Sequence, residues 1–354
     1  MPEAFIYTST PGRIVFGSGT LAKVAEEVER LGCARALILS TPFQKNDAEA
    51  LAKDLGEMAA GTFTEAAMHT PVAVTEAALE VYTQTKADCV VALGGGSTIG
   101  LGKAIAWRND APQVVIATTY AGSEVTDILG QTENGQKTTV RDPKIRPETV
   151  IYDPDLTLGL PVAMSVASGL NAMAHAVEAL YAPDANPVTS LMAVEGLRAL
   201  KTALPRIVET PEDRDARTDA LYGSWLCGTV LGAVAMSLHH KLCHTLGGGF
   251  DMPHAETHAI LLPHTAAYNA AAASAELARA TELFGGDLGG GLYDFARSIG
   301  APLALADFGL KESDLARASD MAVQNPYKNP RDITRDGILD LLTRAHAGQR
   351  PITT

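Results

Sequence analysis

Runs rich in β-branched residues stand at 34–40 (ARALILS), 88–94 (DCVVALG) and 113–119 (QVVIATT), each ending in small or polar residues. Continuous apolar runs of this length read as strands buried on both faces of a parallel sheet. Between them, residues 20–31, 45–56, 73–86 and 98–107 carry the 3.6-residue apolar period of surface helices. This alternation constrains the fold more than any other feature and predicts a doubly wound α/β domain. TVIYDPDLTLGLP (149–161) reads as a last strand with a Pro-bounded exit, and beyond it strand signals nearly vanish. Residues 162–182, 186–208, 212–235 and 238–247 are Ala/Leu-rich and helical. The expected architecture is an α/β domain over residues 1–157 and an all-helical domain over 158–354, with a cleft between them. There is no internal repeat and no low-complexity segment.

A chain of 354 residues with 46% hydrophobic and 19% charged content has material for a sizeable core. Its formal net charge of −13 argues against nucleic acid or an anionic membrane as partner. An anionic substrate would need a local positive site. No apolar run approaches the ~18 residues of a membrane span, and the N-terminus lacks a basic-then-apolar leader pattern. Cys33, Cys89, Cys227 and Cys243 form no CxxC pair. Together these features predict a cytoplasmic enzyme with reduced thiols.

Gly94, Gly95, Gly96 and Ser97 follow a strand and open a helix. Glycines there let a phosphate approach the backbone, and the helix start offers N–H donors. The same string also reads as a plain tight turn, and it matches neither GxGxxG nor a P-loop. A second polar loop, ATTYAGSEVT, follows the next strand and carries Thr118, Thr119, Tyr120 and Ser123. Two such loops at the carboxyl ends of neighbouring strands favour a dinucleotide or another phosphorylated ligand.

Six of the nine histidines lie between residues 237 and 264. Imidazole serves as metal ligand or as proton donor near neutral pH. His240 and His244 are one helical turn apart, but Lys241 between them rules out an HExxH zinc motif. Asn171 and His175 share one helix face further upstream. His239 and His258 read as packing or supporting groups, His264 as structural, and His69 and His346 as solvated. Lys103 reads as a cover on the surface of its helix, and Asn329 and Arg331 as structural. Cys243 has no base beside it that would mark a nucleophile.

RIVFGSGTL, GGGS, TT…GSEVT, DPDLTLGLP and H…PHAETHAILLPH, in this order along nearly the whole chain, resemble the iron-containing alcohol dehydrogenase family. That resemblance implies a dehydroquinate synthase-like fold, with an N-terminal nucleotide-binding domain, a C-terminal helical domain, and an NAD(P) and metal site in the cleft. It places the metal-ligand positions, one Asp and three His, on Asn171, His175, His240 and His254. An amide at the first of these is a poor ligand and leaves the cation's charge uncompensated. Two further departures accompany it. The pattern GGGSxxDxxK has Gly100 in place of Asp, and TTAGTGSE is shortened to TTYAGSE.

These three departures, with SLHHKLCHTLGG, resemble the maleylacetate reductase branch of that family. The branch implies NADH or NADPH as cofactor, no metal, and the dicarboxylate maleylacetate as substrate, reduced to 3-oxoadipate in the breakdown of aromatic compounds. It also implies catalysis by His175, His240, His244 and His254. His244 would relay a proton and His254 would face the enolate oxygen. Lys137 and Arg141 are candidates for the substrate carboxylates, the alternative being exposed loop charges. Asn171 and Tyr120 complete the expected substrate contacts. The position meeting the ribose 2′-group falls on Thr41, whose hydroxyl neither repels nor strongly attracts a phosphate, so both cofactors are expected to serve. Relatives are commonly homodimers. The competing readings are a metal-dependent alcohol or polyol dehydrogenase of the same superfamily, a lyase of the dehydroquinate synthase type, and a nucleotide-binding protein without catalysis.

Overall fold

The computed structural model describes residues 5, 7, 8, 12–133 and 136–353, excepting the side chains of residues 136 and 137. The chain packs as two compact units that divide between Leu160 and Pro161.

The first unit is built on a six-stranded, wholly parallel sheet of β1 (Arg13–Phe16), β2 (Ala36–Leu39), β3 (Ala59–Phe63), β4 (Cys89–Gly94), β5 (Gln113–Ala117) and β8 (Thr149–Tyr152). Their order is β1-β8-β5-β4-β2-β3. The four central strands are buried throughout, as their unbroken Val/Ile/Leu runs require. Burying each such side chain contributes roughly 1.5–3 kcal/mol. The edge strands β1 and β3 went unseen in the sequence because they are only four and five residues long and largely uncovered. Helices α1 (Val24–Arg30), α2 (Lys45–Leu55), α3 (Val72–Gln84) and α4 (Gly96–Asn109) cover the sheet. The chain runs outward from β2 to β3 and returns on the other side of β2 to β4, so the strand order reverses between β2 and β4. Open α/β sheets bind ligands at such a point.

An antiparallel pair, β6 (Ile128–Glu133) and β7 (Gln136–Arg141), corrects the reading of this stretch as a loop. Arg141 therefore lies on a strand. The side chain of Lys137 is outside the described ones.

The second unit is helical: α5 (Val162–Leu180), α6 (Pro187–Glu209), α7 (Arg214–Ala233), α8 (Leu238–Phe250), α9 (His254–Asn269), α10 (Ala278–Leu283), α11 (Leu288–Ser298), α12 (Leu315–Ala322) and α13 (Arg335–His346). Residues 165–180 of α5 are all buried, as expected of a central helix that is small or apolar on every side. It packs against α6, α7 and α9. A second core joins α8, α9, α12 and α13 through Leu238, Leu242, Leu261, Ala318, Ile338 and Leu342. Asn329 ties the segment before α13 to α9 by exchanging amide hydrogen bonds with Asn269, 2.9 and 2.7 Å long. Arg331 donates to the Tyr268 carbonyl at 3.3 Å. His346 is not simply solvated: it is half buried, with Nε2 2.9 Å from the Leu310 carbonyl. His69 is also half buried rather than free in solvent. No single helix is long and apolar enough to cross a membrane, among the described residues.

Candidate active site

In the first unit, the loops after β2, β4 and β5 emerge at the carboxyl edge where the strand order reverses. Gly94–Ser97 turns from β4 into the fourteen-residue helix α4. A Cβ at Gly95 would come within 2.6 Å of Thr119 Cγ2, so only glycine lets the two loops pack this closely. At Gly96 a Cβ would meet nothing within 4 Å, so open space lies over the helix start. The arrangement forms a backbone cradle of N–H donors with room for a phosphate. Gln44, unremarked in the sequence, spans from the β2 loop and donates to Thr118 Oγ1 at 3.2 Å. Thr41 stands half buried just before the short turn Pro42–Gln44. Tyr120 is fully buried, and Ser123 begins the turn Ser123–Val125.

Lys103 corrects the expectation that it covers the surface of α4. It is 1% exposed and donates to Ser123 O (2.5 Å), Thr126 Oγ1 (2.9 Å) and Ile128 O (3.0 Å). Burial pushes its ammonium down to about 7, against the pull of Glu124 and Asp127. With three acceptors for three protons, the ammonium clamps the second loop to the helix that carries the first. Glu124 is itself fully buried and accepts from Tyr152 Oη at 2.7 Å, and burial raises its pKa. Arg141 is half exposed and pairs with Asp127 at 3.2 Å. Gly100, where the resemblance has Asp, faces Thr70, and a Cβ there would strike Thr70 Oγ1.

The histidines gather in the second unit. α5 presents Asn171, His175 and Glu178 at turn spacing; α8 presents His239, His240 and His244; α9 begins with His254 and carries His258 one turn later. The imidazole rings of His240 and His254 lie 5.0 and 4.4 Å from that of His258, centroid to centroid. His244 lies 6.1 Å from His240, and its Nδ1 is 3.2 Å from Tyr327 Oη. Lys241 stands over the Tyr327 ring at 5.8 Å, bringing a cation to this face.

Glu178 is the carboxylate that the sequence reading missed. It is 1% exposed and accepts from the His239 backbone N–H at 2.7 Å and from His240 Nδ1 at 2.5 Å. A carboxylate only accepts, so His240 carries a proton on Nδ1, and as the neutral imidazole it turns a lone pair at Nε2 toward His175 Nδ1, 3.1 Å away. His175 then holds its own proton on Nδ1. A second chain runs beside the first. Thr265 donates to the Leu261 carbonyl at 3.0 Å, so its oxygen accepts from His239 Nδ1 at 2.9 Å. His239 Nε2 accepts from His258 Nδ1 at 2.9 Å. Burial, reinforced by the neighbouring rings, holds His239 and His258 well below the usual imidazole range, and both are neutral. Asn171 Oδ1 and His258 Nε2 are among the buried polar atoms that find no partner among the described residues. A bound group that donates hydrogen bonds would satisfy them.

Residues 11–154 match the family described as iron-containing alcohol dehydrogenase, and residues 165–346 match the C-terminal part of the same family. The maleylacetate reductase of Rhizobium sp. is 63% identical over 349 residues, covering 99% of both chains. The chain belongs to the iron-containing alcohol dehydrogenase family. The maleylacetate reductase of Sphingobium indicum is 55% identical over 99% of each chain. The crystal structure of a maleylacetate reductase from Agrobacterium tumefaciens superposes with a TM-score of 0.95 at 64% identity, over 99% of this chain and 100% of that one. A 1,3-propanediol oxidoreductase of this fold, 28% identical, superposes with a TM-score of 0.88. Within the family, the chain thus stands with proteins that share its length and its fold and are maleylacetate reductases.

Proposed function

We propose that the chain reduces maleylacetate to 3-oxoadipate with NADH or NADPH, and that it does so without a metal at the four positions that resemble a ligand set. One observation carries the second half of this reading. Asn171, 3% exposed, stands where a carboxylate ligand would, and its Oδ1 has no partner among the described residues. The nearby carboxylate, Glu178, does not make up for the missing one, because it faces His240 Nδ1 and the His239 backbone N–H. Two groups of three ligand-type side chains converge within 4.8 Å among the described residues, and neither includes His175, His240 or His254.

The cradle at Gly94–Ser97, with Thr118, Thr119, Ser123 and Thr41, fits a dinucleotide, and the bound reduced nicotinamide supplies the hydride for the carbon β to the ketone. Negative charge then builds on the ketone oxygen. An imidazole N–H aimed at that oxygen stabilises it, and one such donor is typically worth ~3 kcal/mol of barrier. We assign this role to His254, at the half-buried start of α9. His244, with Tyr327 on its Nδ1, delivers the proton to the carbon α to the ketone or holds the network that does. Glu178 fixes the His240–His175 pair beneath them. Arg141 and Lys137 are assigned to the two carboxylates, with Asn171 and Tyr120 as further contacts. The reading also carries a homodimer and a cytoplasmic location, to be tested by sedimentation and by fractionation.

The deciding experiment is NAD(P)H oxidation by maleylacetate in the presence and absence of a chelator. Equal rates are expected. Loss of turnover with EDTA, regained with Zn²⁺ or Fe²⁺, would overturn the metal-free half of the reading.

A further inference from the structure

Three side chains behind the proposed site converge without a part in the reduction. His239 and Cys243 stand one turn apart on α8, and His258 faces them from α9; all three are at most 3% exposed. Their ligand atoms all lie within 4.8 Å of one another. Cys243 Sγ is 3.6 Å from His239 Nε2, and His239 Nε2 is 2.9 Å from His258 Nδ1. In a tetrahedral zinc site, the ordinary Zn–N and Zn–S lengths put N and S about 3.6 Å apart and two N atoms about 3.3 Å apart. The first edge is already present, and the second needs the imidazoles to separate by only about 0.4 Å.

We propose that His239 Nε2, Cys243 Sγ and His258 Nδ1 form a binding site for one thiophilic closed-shell cation, of which Zn²⁺ is the type. Two imidazoles and a thiolate are the donors such ions select. His239 is already oriented as a ligand, because Thr265 Oγ1 accepts its Nδ1–H at 2.9 Å and leaves Nε2 bare. Outer partners of this kind fix the tautomer of a metal-bound imidazole. The site uses none of Asn171, His175, His240 or His254. On binding, the Cys243 thiol gives up its proton to solvent. His258 moves its own proton from Nδ1 to Nε2 and remains neutral, and no electron is transferred. The cation thus replaces the hydrogen shared by His239 and His258. It also converts the free edge of His258, whose ring lies 4.4 Å from that of His254, from acceptor to donor.

The test uses the full chain produced in cobalt-supplemented medium, so that the ion can enter during folding. Wild type is expected to hold one Co²⁺ per chain with a thiolate-to-cobalt charge-transfer band in the near ultraviolet, bleached by Zn²⁺. Cys243→Ala should lose the band and keep its maleylacetate turnover, since Cys243 has no place in the reaction. Cys243→Ser serves as the second variant should the alanine protein not fold. Wild-type protein without the band, or a band that survives in the Cys243 variant, overturns the proposal. The readout is absorbance rather than turnover, so it stands or falls separately from the proposed reduction.

Discussion

Replacing Glu178 by Gln removes one negative charge from the site and almost no volume. The amide oxygen can still accept from the His239 N–H, now 2.7 Å from the carboxylate. The amide NH₂ then points at His240 Nδ1, where the carboxylate accepts a proton at 2.5 Å. Two donors cannot share that contact, so His240 must move its proton to Nε2. There it meets the proton on His175 Nδ1, 3.1 Å away, and that ring must change as well. The hydrogen bond lost is charge-assisted and worth about 1.5–3 kcal/mol. If the proposed site needs the present tautomers in the transition state, kcat falls roughly ten- to a hundredfold. KM should move less, because Glu178 touches no substrate in this scheme. Steady-state NADH oxidation with maleylacetate measures both constants, and ¹⁵N chemical shifts of the imidazoles report the tautomers. A thermal melt establishes that the variant is folded. A folded variant with kcat within twofold of wild type, and His240 still protonated on Nδ1, would refute the relay.

Asn171→Asp restores a carboxylate beside His175 and is expected to raise Zn²⁺ affinity while lowering reductase activity, measured by metal titration and turnover on the same sample. Gly95→Ala forces a Cβ to within 2.6 Å of Thr119 and should weaken NADH binding about tenfold or more, read by cofactor fluorescence. His244→Ala and His254→Ala should each lower kcat about 10²–10⁴-fold and raise KM less, because the charge they meet exists mainly in the transition state. Wild-type-like kcat and an unchanged pH profile in both would remove them from the mechanism. Burial, with Arg344 adding to it, pushes His264 down to about 4 from an ordinary 6.5. The unfolded chain takes up that proton near 6.5 and the folded chain resists it, so stability present above 6.5 drains away as pH falls toward 4. The loss is about 3 kcal/mol, and denaturant melts of His264→Gln should lack it.

The central sheet was legible because strands covered on both faces must be apolar without interruption, as ALIL in β2 and CVVALG in β4 are. β3 escaped because AAGTF lies at an edge and has no such need. The β6–β7 pair did leave a signal: Asn134–Gly135 stands between two polar-alternating stretches, a hairpin signature. Its strands carry too few apolar residues to have drawn notice beside the sheet. Asn171 and His175 were placed by the family resemblance, four residues apart on one helix face, and Glu178 falls on that face three residues further on. Nothing in the sequence announced that the third residue supplied the charge. Lys103 was misread because a lone lysine on a helix normally faces water. The better clue was IGLGKAIA around it, a helix apolar on every side, which leaves no wet face for the lysine to occupy.

The contact between Gly100 and Thr70 gives mutations at this point a preferred order. Thr70 is 5% exposed, its carbonyl accepts from the Thr132 N–H at 3.2 Å, and both it and His69 sit in the left-handed region at φ 46° and 63°. Non-glycine residues rarely rest there, and two in succession leave the turn little freedom to yield. Introducing Asp at 100 therefore drives a Cβ against Thr70 Oγ1, on a turn whose backbone has little room to yield. Trimming Thr70 to Gly first frees the space and relaxes the turn at the same time. The same two substitutions are thus tolerated in one sequence and damaging in the other. A lineage that had acquired Thr70 behind Gly100 would regain Asp at 100 only after Thr70 had changed.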